Sequence, residues 1–395
     1  MLLDLPVHDR DFVVVGSTPA EMLSLGFRQV GADFPVFLNP VTKEEYALAR
    51  TERKTADGYR GFSVDASPYV TLEEDLSRRD LTINAIAQAE DGTLIDPFNG
   101  RADILNKVLR HVGPAFAEDP VRILRIARFA ARYTDFTVAR ETMELMQAMV
   151  SDGEVDHLVA ERVWQELSRG LMEKKPSRML DLLHECGALA QLLPEVDRLF
   201  GVSQPARNHP EGCVGTHIKF VLDYGASQGF SLQVRFAGML HDIGKGLTPP
   251  EQWPSHSGHE ERGLTGVKSI CDRFKVPAAC RELAVHVMRF HSVVHRADEL
   301  TVARIVELLE QVDGFRRPQR FEEFLQACEA DARGRLGMAD SPYPQAERMR
   351  RSLAAARAVD AGAIAEDLVQ KALIPQHIHA ARVAAVQKSL MDKGH

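Results

Sequence analysis

Two aspartates near the N-terminus, Asp9 and Asp11, flank Arg10 and precede the apolar run 12–15. In a strand, residues i and i+2 point to the same face, so both carboxylates lie on one side. Two such carboxylates repel each other unless a cation lies between them, and oxygen ligands suit Mg²⁺ with substrate phosphates completing its shell. The pair therefore predicts metal-dependent phosphoryl or nucleotidyl transfer. A solvated turn before a strand is the alternative, and Glu45 is a candidate third carboxylate.

A second candidate site lies in the segment EDPVRILRIARF, at 118–129, which has the period of an amphipathic helix. Asp119 and Arg122 are three residues apart, close enough on a helix to act as a unit. Aspartate accepts hydrogen bonds and arginine donates them. Cytosine and adenine both present an amine donor beside a ring-nitrogen acceptor, whereas guanine and uracil present the reverse. One Asp/Arg pair can therefore accept C and A and refuse G and U.

Three further arginines extend this hypothesis. Arg125 and Arg128 continue the spacing of three along the same helix, and we expect them to hold a triphosphate. Arg79, in the basic stretch RRD, is expected to reach the phosphates or the ribose. A solvated arginine stripe is the alternative reading of the spacing.

Histidines and carboxylates in the second half form a third candidate site. The segment FAGMLHDIGKG, at 236–246, places a histidine beside an aspartate in an apolar helix. The full set is His217, His241, Asp242, His259, His291 and Asp331. Imidazoles and carboxylates together suit a transition metal such as Ni²⁺, Mn²⁺ or Fe²⁺. Such a metal lowers the pKa of a bound water and supplies a nucleophile for phosphoester hydrolysis. Histidines that serve only the core and the surface are the alternative.

The elements that must position these residues change in character near residue 115. Before it, strand-like runs alternate with helices. DFVVVGS reads as a strand, and FPVFLNP and EEYALART read as two more strands around a turn at Asn39-Pro40. STPAEMLSLGF reads as a helix that begins at Ser17 or Thr18, RRDLTINAIAQ as a helix, and DGTLIDPFNG as a turn-bounded strand. After it, the 3.6-residue period predicts helices almost throughout. The stretch 201–215 resembles a domain boundary, and 246–263 resembles an inserted loop.

Composition excludes several classes of protein. The chain has 395 residues, too many for one ordinary core, and a net charge of −8, which argues against indiscriminate binding of polyanions. No apolar stretch approaches the roughly 20 residues that span a bilayer. The N-terminus lacks the layout of a signal peptide, and the five cysteines show no CxxC spacing. We therefore expect a cytoplasmic protein with reduced thiols and no membrane contact.

Four ordered segments closely resemble the bacterial class II CCA-adding enzymes, which are tRNA nucleotidyltransferases: DRDFVVVGSTPAEM, RRDLTINAIAQ, EDPVRILRIARFAARY and ERVWQEL. The similarity extends over nearly the whole chain. It implies that the protein builds the 3′-terminal CCA of tRNA from CTP and ATP without a nucleic-acid template. It also implies catalytic Mg²⁺ at Asp9 and Asp11 and a base-reading pair, Asp119 and Arg122. The nucleotide contacts it implies are Arg79, Arg125 and Arg128.

The His-Asp cluster resembles the HD phosphohydrolase superfamily. The longer CCA-adding enzymes carry such a domain, which implies phosphatase and 2′,3′-cyclic phosphodiesterase activity with Ni²⁺ or another transition metal. Ser292 follows His291 where the family leads us to expect an acid. The tRNA is expected to lie along the basic helices, held chiefly by phosphate contacts on its acceptor and TΨC arms. A monomer or a homodimer is expected.

The N-terminus departs from the family pattern. A glycine-rich GGAVRD-type segment, which cradles the triphosphate, is expected about a dozen residues before the paired aspartates. The sequence begins at MLLDLPV, just after that point. We expect a misassigned start rather than a truncated, weakened transferase. Two alternatives follow for function: a tRNA-binding HD phosphohydrolase with an inactive transferase head, or a poly(A) polymerase.

We therefore predict an α+β fold in which a small mixed-sheet nucleotidyltransferase head, of the polymerase-beta-like type, precedes helical segments. The predicted domains are the head at 1–115, a helical neck and body at 116–205, an HD domain at 206–316 and a helical tail at 317–395.

Overall fold

The computed structural model describes residues 2–3, 7, 10–30, 36–54 and 62–392. Contacts between Cα atoms divide the chain into two compact units. The first is Met1–Glu166 with Asp181–Leu192, and the second is Leu167–Leu180 with Leu193–His395. The four-domain division predicted from the sequence uses other boundaries and stays a prediction.

The described strands all precede residue 140. They are β1 (Asp11–Val14), β2 (Arg28–Val30), β3 (Val36–Leu38), β4 (Glu45–Leu48), β5 (Thr51–Lys54), β6 (Phe62–Asp65), β7 (Ala87–Gln88), β8 (Leu94–Ile95), β9 (Val108–Leu109) and β10 (Thr137–Val138).

The α-helices are short in the first third of the chain and longer afterwards. Those up to residue 200 are α1 (Pro19–Ser24), α2 (Leu72–Ser77), α3 (Gly100–Asn106), α4 (Val121–Arg132), α5 (Arg140–Ser151), α6 (Ala160–Leu171), α7 (Ser177–Glu185), α8 (Ala188–Leu192) and α9 (Pro194–Asp197). The others are α10 (Val214–Ser227), α11 (Leu232–Leu240), α12 (His259–Arg273), α13 (Ala278–His295), α14 (Val302–Gln311), α15 (Pro318–Arg333), α16 (Pro344–Arg357), α17 (Ala361–Asp367) and α18 (Ile374–Met391).

A mixed four-stranded sheet, in the order β1-β4-β3-β2, organises the head. β1 runs parallel to β4, whereas β3 is antiparallel to both of its neighbours. A small core of Met22, Phe37 and Leu48 packs α1 against this sheet. The α+β fold with a mixed-sheet head is therefore confirmed, and β1 and β4 begin side by side, with Asp11 opposite Glu45.

Short-range hydrogen bonds set the ends of these elements. The hydroxyl of Thr18 accepts a hydrogen bond from the amide of Glu21, whose carboxylate accepts one from the amide of Thr18, so a capping box begins α1. The side chain of Asn39 accepts hydrogen bonds from the amides of Val41 and Thr42 in the turn between β3 and β4. The predicted helix start and the predicted turn are both confirmed.

The helix predicted for residues 78–88 is wrong. This segment contains a 3₁₀ turn, Thr82–Asn84, and then β7. Leu81, fully buried, bridges His111 in an antiparallel pair, and the side chain of Asp80 accepts a hydrogen bond from the amide of Leu81. Pairing with a distant segment and local side-chain bonds to the backbone replace the bonds that a helix would make.

The second unit is a helical assembly built around α11. This helix packs against α10, α13 and α15, and its residues 234–240 are all buried. His241 and Asp242 follow its last residue directly. Gly244 comes so close to the backbone of His259 that a Cβ atom there would overlap the carbonyl oxygen. The turn after α11 and the start of α12 are thereby held together. This places the candidate ligands Asp242 and His259 side by side.

None of the helices in the described ranges is long and apolar enough to cross a membrane. All five cysteines are free thiols, four of them buried.

Candidate functional sites

The head presents two carboxylates at the start of neighbouring parallel strands. Asp11 begins β1, Glu45 begins β4, and the two are register partners. Register partners project from the same face of a sheet. Both side chains are exposed and line an open cleft together with Val7, Arg10, Thr42, Lys43 and Glu44. The structure thus brings the predicted Asp11 and Glu45 together, while Asp9 lies outside the described residues.

Two of the predicted nucleotide-binding arginines are held by buried aspartates. Arg79 donates a hydrogen bond to Asp75 at 3.1 Å, and Arg125 donates one to Asp80 at 2.7 Å. Burial alone would raise the pKa of Asp80, but Arg125 and neighbouring donors hold that pKa below its usual value. Sequence reasoning missed both aspartates, although they lie within a few residues of Arg79. Their effect is to fix where the two guanidinium groups lie.

Asp119 and Arg122 have partners that their spacing did not predict. Asp119 lies before α4, and Arg162 donates to both of its carboxylate oxygens, at 3.1 and 2.7 Å. Arg122 donates to the carbonyl oxygens of Ala115 and Arg78, at 2.7 and 2.6 Å. The side chains are thus held in place by surrounding groups. Arg162 belongs to the ERVWQEL motif, which was the signal that could have identified it.

Arg128 lies in the interior of the first unit. Its Nε donates to Glu166 at 2.6 Å, and both side chains are less than 10% exposed. The guanidinium also lies over the ring of Phe129, 4.4 Å from its centre. Arg128 is thus less exposed than Arg79 and Arg125, and its predicted contact with a triphosphate stays a prediction.

All six residues of the predicted histidine and carboxylate site come together in the second unit, and all are buried. His217 lies in α10, His241 and Asp242 follow α11, His259 begins α12, His291 lies in α13 and Asp331 lies in α15. Five separate segments therefore converge on one interior point.

Four of these residues form a first group. The Nε2 atom of His217 lies 3.1 Å from Oδ1 of Asp331 and 3.9 Å from Oδ2 of Asp242. The Nε2 atom of His241 lies 3.2 Å from Oδ2 of Asp242 and 3.6 Å from Oδ2 of Asp331. Two histidine nitrogens thus face two carboxylates at distances of 3.1 to 3.9 Å.

The second group consists of Asp242, His259 and His291, and it faces Oδ1, the other carboxylate oxygen of Asp242. This Oδ1 atom is 3.2 Å from Nε2 of His259 and 3.7 Å from Nε2 of His291. The two histidine nitrogens are 3.3 Å apart. Asp242 is therefore common to both groups, and Ser292 lies beside the second, with its hydroxyl 3.2 Å from Nε2 of His291.

The outward-facing ring nitrogens fix the orientation of three of these histidines. Nδ1 of His241 lies 2.8 Å from a backbone carbonyl oxygen, and the corresponding distances are 3.1 Å for His259 and 2.9 Å for His291. A carbonyl oxygen only accepts, so each Nδ1 carries a proton and each Nε2 points to the centre. This is the arrangement of metal-ligating histidines. Nε2 of His241 is buried with no hydrogen bond among the described residues.

The two buried carboxylates face positively charged groups: Lys245 lies 2.7 Å from Asp242, and Arg335 lies 3.2 Å from Asp331. Burial lowers the pKa of His241, but Asp242 and Asp331 outweigh that effect and raise it to about 10. Burial and the neighbouring His241 lower the pKa of His291 to about 3. The carboxylates therefore hold a proton on His241 when no metal is bound, while His291 is neutral and ready to ligate. The residues present fit a divalent metal ion.

Several residues around the site were not identified from the sequence. Lys245 contacts Asp242 at 2.7 Å and donates to Gln204 at 2.7 Å. Its position three residues after Asp242, in HDIGKG, was a usable signal. Glu211 and His295 gave no local signal: Oε1 of Glu211 lies 3.1 Å from Nδ1 of His217, and Nε2 of His295 lies 2.6 Å from Asp331.

Three family models match the chain in order. Residues 1–110 match the poly A polymerase head domain, and residues 135–200 match the probable RNA and SrmB-binding site of polymerase A. Residues 208–334 match the HD domain. The order agrees with the predicted head, helical segment and HD region. Both metal-dependent classes of chemistry are thus represented in one chain.

Curated relatives match over almost the full length. A multifunctional CCA protein from Paraburkholderia phytofirmans is 60% identical over 396 residues, covering 98% of this chain and 97% of that protein. One from Aromatoleum aromaticum is 60% identical, covering 98% and 95%. These names support the CCA-adding prediction over the poly(A) polymerase alternative.

Solved structures share the fold at low sequence identity. The Bacillus stearothermophilus CCA-adding enzyme in complex with CTP is 22% identical, with a TM-score of 0.66, covering 98% of this chain and 86% of that one. The Thermotoga maritima CCA-adding enzyme complexed with tRNA is 18% identical, with a TM-score of 0.61, covering 99% and 88%.

Proposed function

Because the chain belongs to the family of multifunctional CCA proteins, we propose that it adds and repairs the 3′-terminal CCA of tRNA from CTP and ATP. The observation that carries the proposal is the 60% identity to relatives of that name over 98% of the chain. In this reaction the 3′-hydroxyl of tRNA attacks the α-phosphate of the nucleotide and pyrophosphate leaves. No nucleic-acid template selects the base.

Asp11 and Glu45, with Asp9, are the residues that we propose to hold Mg²⁺ in the head. Their support is the pairing of Asp11 with Glu45 on one face of the sheet, at an open cleft. A Mg²⁺ site of this kind keeps positions for substrate phosphates. The bound ion stabilises charge on the attacking and leaving oxygens. The protein side chains supply only part of the shell, which suits an exposed site.

Asp119 and Arg122 are proposed to read the base. Arg162 occupies one position on each carboxylate oxygen of Asp119, and the amide of Val121 occupies a second on Oδ1, whereas a carboxylate has about four positions for hydrogen bonds. Acceptor capacity therefore remains for an exocyclic amine. Arg79 and Arg125 are proposed to neutralise the phosphates, because buried aspartates fix their positions. We assign Arg128 a positioning role in α4, through Glu166.

The tRNA is proposed to bind through phosphate contacts on its acceptor and TΨC arms, in part along residues 135–200, which match an RNA-binding family model. Such binding weakens as salt rises, in proportion to the phosphates neutralised. A monomer or homodimer remains the expectation for the assembly.

The HD region is proposed to hydrolyse phosphomonoesters and 2′,3′-cyclic phosphates. Its support is the convergence of three oriented histidine nitrogens on two buried carboxylates. A Ni²⁺ ion, or another transition metal, bound there supplies an activated water at neutral pH. His241, His259 and His291 can ligate a metal through Nε2, because each Nδ1 donates its proton in a hydrogen bond to a backbone carbonyl oxygen.

The direct test is incorporation of labelled CTP and then ATP into tRNA that lacks its CCA end. We expect stepwise addition of two C residues and one A, with no incorporation of UTP or GTP. Addition of long A tails to unrelated RNA would instead support a poly(A) polymerase. Hydrolysis of cyclic phosphates without any nucleotide addition would support an HD phosphohydrolase with an inactive head.

A further inference from the structure

A cavity of about 510 Å³ lies among α12, α13 and α14 of the second unit. His286, Arg289, Phe290 and Val293 line it from a single face of α13, since residues three and four apart on a helix share a face. None of the six candidate metal ligands belongs to its lining. The cavity is therefore separate from the predicted metal site, and its volume lies in the range of cavities that hold small ligands.

The imidazole of His286 is one of the polar groups that face this cavity. Among the described residues, none forms a hydrogen bond with this half-buried ring. Burial, reinforced by Arg320 and Arg289, lowers the pKa of His286 to about 4. The ring is therefore neutral at pH 7 and offers one donor and one acceptor to a ligand.

Two guanidinium groups in the cavity also have unused donors. Arg289 forms an ion pair with Glu261 at 3.4 Å. Among the described residues, Arg304 donates through Nη1 alone, to Glu307 at 3.1 Å and to Gln311 at 3.3 Å. Each guanidinium carries five N–H donors, and exposed ion pairs of this kind are weak. Most of the donors are therefore available to a ligand that is rich in acceptors.

The rest of the cavity wall is apolar. Val285, Phe290 and Val293 provide it, and the guanidinium of Arg289 lies 6.0 Å from the centre of the Phe290 ring. An apolar surface thus adjoins a guanidinium group within one cavity. A ligand that fills the cavity must therefore combine a flat or apolar body with an acceptor-rich group.

A mononucleotide combines these features. Its phosphate is a charged acceptor with the geometry that guanidinium groups recognise, and its base has a flat face that packs on aromatic and apolar side chains. We propose that this cavity binds a mononucleotide, with the phosphate at Arg289 and Arg304 and the base against Phe290. The ribose hydroxyls can donate to Glu261, because an ionised carboxylate only accepts. The proposal goes beyond the activities proposed for the head and the HD region, neither of which uses this cavity.

The test measures protection of individual arginines in the full chain. Phenylglyoxal modifies accessible guanidinium groups, and mass spectrometry of the digested protein locates each modified residue. AMP should protect Arg289 and Arg304, and adenosine, which lacks the phosphate, should protect neither. Inorganic phosphate should need at least about a 10-fold higher concentration than AMP, because it lacks the contacts of the base. Arg296, exposed just after α13 and outside the cavity, is the internal control and should react equally in all samples.

A matched pair of variants locates the bound phosphate. In Arg289→Gln, the AMP concentration that half-protects Arg304 should rise at least about 10-fold, the scale of one hydrogen bond to a charged group. Arg296→Gln removes the same charge outside the cavity and should leave that concentration unchanged. Nucleotide bound in the head does not affect this readout, because the readout is taken at Arg304.

Three results would overturn the proposal. One is the absence of protection by AMP, and another is equal protection of Arg304 in Arg289→Gln and in the unsubstituted protein. The third is protection by inorganic phosphate at the same concentration as AMP, which would show a site for simple anions that does not recognise the nucleoside.

Discussion

The two candidate metal sites differ in how much of the ligand shell the protein itself supplies. In the head, Asp11 and Glu45 are exposed at the ends of two neighbouring strands. In the HD region, six candidate ligands from five segments are buried, and Asp242 has no exposed surface. The first site is open to a shell completed by substrate, whereas the second is assembled almost entirely from side chains.

This difference predicts different consequences of substitution. Exposed carboxylates are hydrated without a metal, so their removal should affect catalysis more than folding. Buried carboxylates balance neighbouring positive charge, and removing one partner of a buried pair is costly. The HD site should therefore be sensitive to changes both in its ligands and in the groups that orient them.

The largest expected effect is that of Asp242→Asn, which removes the negative charge common to the two groups of histidines and carboxylates in the HD region. Without bound metal, the pKa of water returns from about 7 towards 15.7, so we expect hydrolysis of 2′,3′-cyclic phosphates to fall at least about 1,000-fold. CCA addition should be unchanged, since Asp242 belongs to the second unit. Parallel assays of both activities check this. Equal loss of both activities in a folded variant would contradict two independent sites.

Asp11→Asn should produce the reverse pattern in the head. Changes in residues that merely orient a metal ligand cost about 10–100-fold, so loss of a ligand should lower CCA addition by at least about 100-fold. Hydrolysis by the HD region should remain. Glu44→Gln is the matched control. It removes one negative charge from the same cleft, but Glu44 does not belong to the register pair of Asp11 and Glu45. Equal losses in both variants would show that general cleft charge, rather than metal ligation, is responsible.

The sequence predicted most strongly those features of the fold that are encoded locally. The capping box at Thr18 and the turn at Asn39 depend on residues two or three positions away. The helix predicted for 78–88 was wrong because Leu81 pairs with His111, a partner that no local period reveals. The head sheet was predictable as a class, but its strand order depends on such distant pairings.

The same limit applies to the candidate sites. Residue type and family motifs identified all six residues that converge in the HD region. The residues that orient them were missed, because Glu211 lies in a loop with no periodic signal and reaches His217 only in the fold. Similarly, the spacing of the arginines did not reveal that Glu166 would hold Arg128 inside the first unit.

A smaller effect is expected for Glu211→Gln. The carboxylate of Glu211 lies 3.1 Å from Nδ1 of His217 and 3.1 Å from Nδ1 of His209. Replacing the charge by an amide weakens its hold on the His217 ring, so Mn²⁺ affinity should fall about 10-fold. Titration calorimetry with Mn²⁺ checks this. Glu322→Gln, a half-exposed partner of Arg350 in the same unit, should leave the affinity unchanged. An equal decrease in both variants would indicate a general electrostatic effect.

The smallest effect is expected in the head, for Thr18→Ala. This change removes the hydroxyl that accepts from the amide of Glu21 at 3.2 Å, and caps of this type contribute about 1 kcal/mol. Amides of α1 should then exchange with solvent about fivefold faster, as measured by mass spectrometry, if α1 opens locally. Thr18→Ser retains the hydroxyl and should exchange as the unsubstituted protein does. Because this cap is local, Mn²⁺ binding by the HD region should not change. A decrease in Mn²⁺ binding would show that the two regions are coupled. The exposed site of the head and the buried site of the HD region could then no longer be treated as independent.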